Sequence, residues 1–288
     1  MADRSGVEWC DASWNPIIGC QAVSQGCAKC WARSMAQRFF QGRLGDVVNW
    51  DGKAALTGKL DEPRHWRRPR RIFALGMTDF CLPGIPPEWL DDVFRVMVAC
   101  PQHTFVMLTK RPQRLHEALY GGNRHRYLMR SDGPSRALYD VKIALPNVIL
   151  GVSCENQAAV DERASYLVEM RGLGWRTCLS LEPLLGPVDI RTWLSIGVQN
   201  PVKPLGVSMF SIPSINWVIA GCESGPGARP AEVEWFRSLR GQCEDGGVPF
   251  FLKQMTHRAG GVQTPTGKPW IEKVPRLDGR QSIDGPLE

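Results

Sequence analysis

The sequence predicts an α/β fold: parallel strands in a (βα) barrel, partial or full TIM-type, with a cysteine loop close to the N-terminus. Three observations carry that reading. Short apolar runs recur along the chain, at residues 72–75, 105–108, 148–152, 178–181, 217–220 and 250–252. Hydrogen-bonding or charged groups follow every one of these runs, and no glycine-rich phosphate loop follows the first. Continuous apolar runs of this length fit strands covered on both faces. Their starts are 33, 43, 30, 39 and 33 residues apart, enough for a strand, a crossover helix and two loops each time. Alternation of that kind implies a parallel sheet. A doubly wound open sheet would carry a G-x-G-x-x-G or Walker loop at its crevice, and neither occurs.

Taken in order, residues 14–19 read as a short first strand and residues 31–40 as the helix after it. Between them runs Cys20-Gln21-Ala22-Val23-Ser24-Gln25-Gly26-Cys27-Ala28-Lys29-Cys30, a C-x6-C-x2-C loop. Residues 87–98 have helical spacing with Pro87 and Glu88 at the start, as helix entries prefer. Residues 232–239 repeat the helical pattern near the end. Two insertions, near 119–146 and 187–214, are rich in Gly, Pro, Ser or Arg and read as lids or binding loops. One barrel domain over 1–256 and a tail over 257–288 without clear periodicity complete the organisation.

The polar strand ends are Thr78 and Asp79; Thr109, Lys110 and Arg111; Ser153, Glu155 and Asn156; Glu182; Cys222 and Glu223; Lys253 and Gln254. In a parallel barrel the C-terminal strand ends converge on one face, which holds the active site. Each residue alone has a plainer reading: Ser153 or Asn156 would equally serve as a helix N-cap.

Composition narrows the function classes. With 43% hydrophobic and 22% charged residues the 288-residue chain is expected to be globular. No stretch approaches the ~18 continuous apolar residues of a membrane span, and the first residues lack a secretion signal's apolar region, so a cytosolic protein with no membrane partner is expected. There the ten cysteines are not disulfide staples. Cys100, Cys178 and Cys243 lie in apolar or helical contexts and read as small buried hydrophobes. Cys20, Cys27 and Cys30 can wrap a metal, with Gly19 and Gly26 supplying unusual dihedrals. Zinc would need a fourth ligand, Cys10 or a histidine; a [4Fe-4S] cluster on three cysteines would keep one iron open for a ligand. The net charge of +6 is uneven: residues 59–71 carry five arginines, and Arg111, Arg114, Arg124, Arg126 and Arg130 follow. A polyanionic partner or a solvated basic surface both fit that pattern.

Val7-Glu8-Trp9-Cys10-Asp11-Ala12-Ser13-Trp14-Asn15-Pro16 with the cysteine loop, Gln102-His103-Thr104-Phe105, Leu108-Thr109-Lys110-Arg111-Pro112, Leu150-Gly151-Val152-Ser153-Cys154-Glu155-Asn156, Leu181-Glu182-Pro183-Leu184-Leu185-Gly186-Pro187 and residues 221–230 form a distinctive set. Together they closely resemble a phage-encoded three-cysteine-motif family, itself similar to divergent radical S-adenosylmethionine (SAM) enzymes. The resemblance implies a radical-SAM-like barrel in the host cytoplasm. Cys20, Cys27 and Cys30 would hold a [4Fe-4S] cluster, SAM would bind its fourth iron, and an external electron donor would drive formation of a 5'-deoxyadenosyl radical. Two features depart from the usual pattern: the first cysteine gap is longer than C-x3-C-x2-C, and Trp31 follows the last cysteine instead of preceding it. Gly76-Met77-Thr78-Asp79 replaces the usual glycine-glycine-glutamate stretch. Thr78 and Asp79, with Ser153, Glu155 and Asn156, are then the SAM contacts. Lys110, Glu182, Glu223 and Lys253 would carry catalysis, Arg111 and Arg229 would bind substrate, and Cys222 or Cys81 could donate a hydrogen atom. The implied activity is modification or isomerisation of a nucleotide, free or in DNA, such as an amino-acid-substituted thymidine in hypermodified phage DNA. The alternatives are a repair lyase resembling spore photoproduct lyase and a zinc- or cluster-stabilised nucleic-acid-binding protein.

Overall fold

A computed structural model describes residues 5–120, 144–194, 215–225, 227–257, 270–273, 276–277 and 280–281. Arg124, Arg126, Arg130 and most of both insertions lie outside the described residues. The fold is α/β, with seven parallel strands consistent with a partial (βα) barrel. It divides into two compact units, Met1–Gly151 with Leu173–Arg176, and Val152–Gly172 with Thr177–Glu288.

In the first unit, β1 (Ala12–Trp14) pairs in parallel with β4 (Arg71–Ala74), which pairs in parallel with β5 (Thr104–Thr109). The expected first strand is therefore displaced. Asn15 and Pro16 end β1, and Ile17–Ile18 forms β2, which leaves the main sheet and pairs antiparallel with β3 (Ala55–Leu56). Proline offers no N–H to a continuing ladder, so the break falls where the chain loses a donor. Helix α1 (Trp31–Leu44) runs four residues beyond the expected end. It buries Ala32 and Ala36 against Ile18, Val48 and Met77, with Phe40 and Leu44 packed at the margin. Helix α2 (Pro87–Ala99) starts on the proline as expected and buries Leu90, Val93, Val96 and Met97. Helix α3 (Pro112–Tyr120) follows β5.

Strand β6 (Val148–Ser153) is buried at all its positions, as its unbroken apolar run predicts. In the second unit come helices α4 (Gln157–Arg163) and α5 (Ser165–Gly172), strand β7 (Arg176–Leu181), helix α6 (Arg191–Leu194), strand β8 (Trp217–Gly221), helix α7 (Val233–Asp245) and strand β9 (Phe250–His257). Strands β7, β8 and β9 pair in parallel in chain order. The tail, which carries no periodicity in sequence, adds β10 (Trp270–Lys273) antiparallel to β9 and a two-stranded pair, β11 (Arg276–Leu277) with β12 (Arg280–Gln281). Short strands of two to four residues fall below the length at which alternation is legible. Among the described residues no helix is long and apolar enough to cross a membrane.

The arginine-rich stretch is largely bound up in local structure. Arg64 pairs with Asp61 at 2.8 Å, and the Arg70 guanidinium lies 5.0 Å from the Trp66 ring centre. His103 fixes the same stretch to β5: its Nε2 lies 3.1 Å from the Pro63 carbonyl, and its ring meets Trp66 and Phe105 edge-on. Arg67 and Arg68 remain exposed.

Candidate functional site

The cysteine loop is fastened directly to the chain leaving β4. Leu75 adopts a left-handed conformation (φ 60°) with its N–H donating to the Trp14 carbonyl at 2.8 Å. Gly76 follows where a Cβ would lie 2.5 Å from the Phe73 ring, so the chain folds back tightly over that ring. This strained turn presents Met77, Thr78 and Asp79 to the loop. The Met77 carbonyl accepts from the Gly19 N–H, and the Thr78 hydroxyl donates to the Gly19 carbonyl. Gly19 itself has φ +114°, and a Cβ there would lie 2.2 Å from the Lys53 carbonyl oxygen and 2.8 Å from Val47 Cγ1. Gly19→Ala is therefore expected to destabilise the first unit by about 1–3 kcal/mol, through strain and a backbone clash together. The shift of its urea-unfolding midpoint checks this.

Asp79 is buried and completes the attachment. Its Oδ1 accepts from the Cys81 N–H (3.0 Å) and the Thr109 hydroxyl (2.6 Å). Its Oδ2 accepts from the Lys110 N–H (3.0 Å) and Arg111 Nη1 (2.8 Å). Arg111 also donates from Nη2 to the Gln21 carbonyl at 2.7 Å. Thr78, Asp79 and Arg111, read from sequence as SAM and substrate contacts, thus have polar groups engaged in holding the loop to the ends of β4 and β5.

The three thiols sit differently. Burial pushes Cys20 up to about 11, the Asp79 carboxylate adds to the rise, and the Arg111 guanidinium opposes it. Burial likewise raises Cys30, while Lys110 lowers it. None of the three is in a disulfide and all are part-exposed. Cys10, the sequence's candidate fourth zinc ligand, turns its thiol toward Ser5 Oγ (3.2 Å) and the Val7 carbonyl (3.5 Å). Among the described residues no three His, Cys, Asp or Glu side chains are already gathered as ligands to a metal ion. The donor set nevertheless suits a soft metal or an iron–sulfur cluster: three sulfurs in eleven residues, with the Arg111 guanidinium near Cys20 and the Lys110 ammonium near Cys30. Cys81 is buried, and that burial pushes its thiol pKa well up, with the Asp79 carboxylate adding to the rise.

The strand ends of the second unit form ion pairs. Lys253 Nζ lies 2.8 Å from Glu182 Oε1, and the Ser180 hydroxyl donates to Glu182 Oε2 at 3.2 Å. The β8–β9 register slips at Ala220/Gly221, so that Gly221 faces Gln254 and Lys253 becomes the extra residue of a bulge. Gly221 makes room here, since a Cβ on it would come within 3.1 Å of Glu182 Oε1. Gln254 bridges the same turn, donating from Nε2 to the Cys222 carbonyl at 2.7 Å. Cys222 is buried behind it.

Glu223 takes a forked contact from Arg229, Nε to Oε2 at 3.0 Å and Nη2 to Oε1 at 2.5 Å, and accepts the Arg229 N–H at 2.9 Å. The Glu223 contact raises the Arg229 pKa despite burial, and Glu155 adds to the rise. Glu155 is buried against Arg163, whose Nη1 lies 3.3 Å from its Oε2 and donates to the Ser153 carbonyl at 2.9 Å. Asn156 is the N-cap of α4, accepting from the Ala159 N–H at 2.9 Å, so the plainer reading describes what its side chain does. Sequence reasoning placed Gln254 among the polar strand ends without a role and missed Arg163. Arg163 lies in a helical stretch where an arginine ordinarily reads as solvated, and only its eight-residue offset from Glu155 hinted otherwise.

A family model described as "Protein of unknown function (DUF5131)" matches residues 4–282. No curated protein and no solved structure matches the chain.

Proposed function

This chain belongs to the DUF5131 family, and on that premise we propose that it is a radical SAM enzyme that modifies or isomerises a nucleotide. The substrate proposed is an amino-acid-substituted thymidine of phage DNA. The observation that carries the reading is the three-cysteine loop clamped to the ends of β4 and β5, with Arg111 and Lys110 facing its thiols. When bound, a [4Fe-4S] cluster with SAM on its open iron supplies one-electron cleavage of the sulfonium and hydrogen-atom abstraction.

The residues have separable tasks. Cys20, Cys27 and Cys30 hold the iron, and their deprotonation is coupled to ordering of the loop around it. Arg111 and Lys110 balance the added negative charge. Asp79 fixes Arg111, and Thr78 fixes Gly19. In the second unit, Lys253 with Glu182 and Arg229 with Glu223 offer paired charges that a nucleotide's phosphate or base edge can re-partner. Glu182, held by Lys253 and the Ser180 hydroxyl, binds and orients the nucleotide.

Anaerobic incubation of the reconstituted protein with SAM and dithionite tests the reading. 5'-Deoxyadenosine is expected by mass spectrometry, together with a change of mass in a phage DNA nucleoside. Absence of both products overturns it.

A further inference from the structure

Helix α1 carries a feature that neither its packing nor the cysteine loop requires. Its buried side is Ala32 and Ala36, completed by Phe40 and Leu44. Trp31, Met35 and Phe39, four residues apart and so in a row along another side, are 41%, 41% and 59% exposed. Isolated exposed apolar residues are ordinary, but three in helical register make a ridge about 12 Å long. Charge marks the same segment. From Ala12 to Gly45 the chain has Lys29, Arg33, Arg38 and Arg43 and no acidic residue. Lys29, Arg33 and Arg38 are exposed, and the Arg38 guanidinium lies 5.1 Å from the Phe39 ring centre. The ridge starts on the residue after Cys30, which is the N-cap of the helix.

We propose that the Trp31–Met35–Phe39 ridge is the docking surface for an acidic electron-carrying protein, which delivers its electron beside Cys30. This rests on the cluster reading above. In the step itself the reduced carrier loses one electron and the cluster gains it; no bond forms or breaks. The ridge suits a protein better than a nucleic acid strand. Its middle member is methionine, its two aromatics are about 12 Å apart, and Arg38 already covers Phe39, so successive bases have no run of rings to stack on. A small apolar contact with a cation beside it, on a segment that carries no acidic residue, fits a transient redox encounter steered by charge and burying less than about 1,200 Å².

The test uses the full chain, reconstituted anaerobically, with a flavodoxin of net negative charge as probe. Binding is followed by Trp fluorescence and cluster reduction by loss of visible absorbance. Wild-type protein is expected to bind the flavodoxin, at least tenfold more weakly at about 0.5 M than at about 0.05 M salt. Phe39→Ser and Arg38→Glu are each expected to weaken binding and slow flavodoxin-driven reduction at least tenfold, while reduction by dithionite and the thermal melt stay at wild-type values. Equal flavodoxin binding and reduction in wild type and variants overturns the docking proposal and leaves the cluster reading intact. So does loss, in these variants, of binding to a single-stranded oligonucleotide or of self-association, with flavodoxin unaffected. No bleaching by dithionite in wild type overturns the cluster reading, and the electron delivery with it.

Discussion

Replacing any one of Cys20, Cys27 and Cys30 by alanine is expected to take the iron content of the reconstituted protein from about four per chain to near zero, with loss of its brown colour. The effect is this large because each sulfur would be a third of the protein's hold on the proposed cluster. Disturbing a supporting contact instead, such as that of Arg111, costs roughly 10–100-fold in affinity. The controls are chosen for burial elsewhere. Cys100 follows α2 and Cys243 lies within α7, both inaccessible to solvent. Cys100→Ala and Cys243→Ala should lower stability slightly and leave iron unchanged. Iron and acid-labile sulfide analysis reads the result directly. Iron retained in the triple variant overturns the ligand assignment, and one zinc per colourless chain overturns the cluster.

The regular parts of the fold were legible because their signals are long. Five of the six apolar runs lie within an observed strand and the first overruns β4 by Leu75 alone, and helix entries such as Pro87 fall where proline is preorganised. The first strand was misplaced by a few residues because Trp14, Ile17 and Ile18 form an apolar patch on both sides of Pro16, and only hydrogen-bond pairing tells which side joins the sheet. The strand-end polar residues were legible as a set but not in their partners. Periodicity says that Glu155 follows a strand; it does not say that a buried Arg163 eight residues on meets it. The C-x6-C-x2-C spacing likewise marks the loop, whereas its attachment through Gly19, Thr78 and Arg111 joins residues up to ninety positions apart.

That attachment converges on Asp79, and its removal is the second large effect expected. Asp79→Ala leaves the Cys81 and Lys110 N–H groups, the Thr109 hydroxyl and a buried guanidinium without their acceptor. Breaking a buried ion pair by deleting one partner costs about 3–5 kcal/mol, chiefly because the other charge is left desolvated and unpaired. Asp79→Asn recovers little of this. If its amide oxygen keeps Thr109 and Cys81, its amide NH2 is turned on two donors, the Lys110 N–H and Arg111 Nη1. Asp79→Leu with Arg111→Leu removes both charges and should cost less than the two single changes added together, by about 1–3 kcal/mol. Because both side chains are about nine-tenths buried, added salt should change these values little. Urea unfolding of the four proteins measures the coupling. Strict additivity would show that Asp79 and Arg111 are not energetically linked.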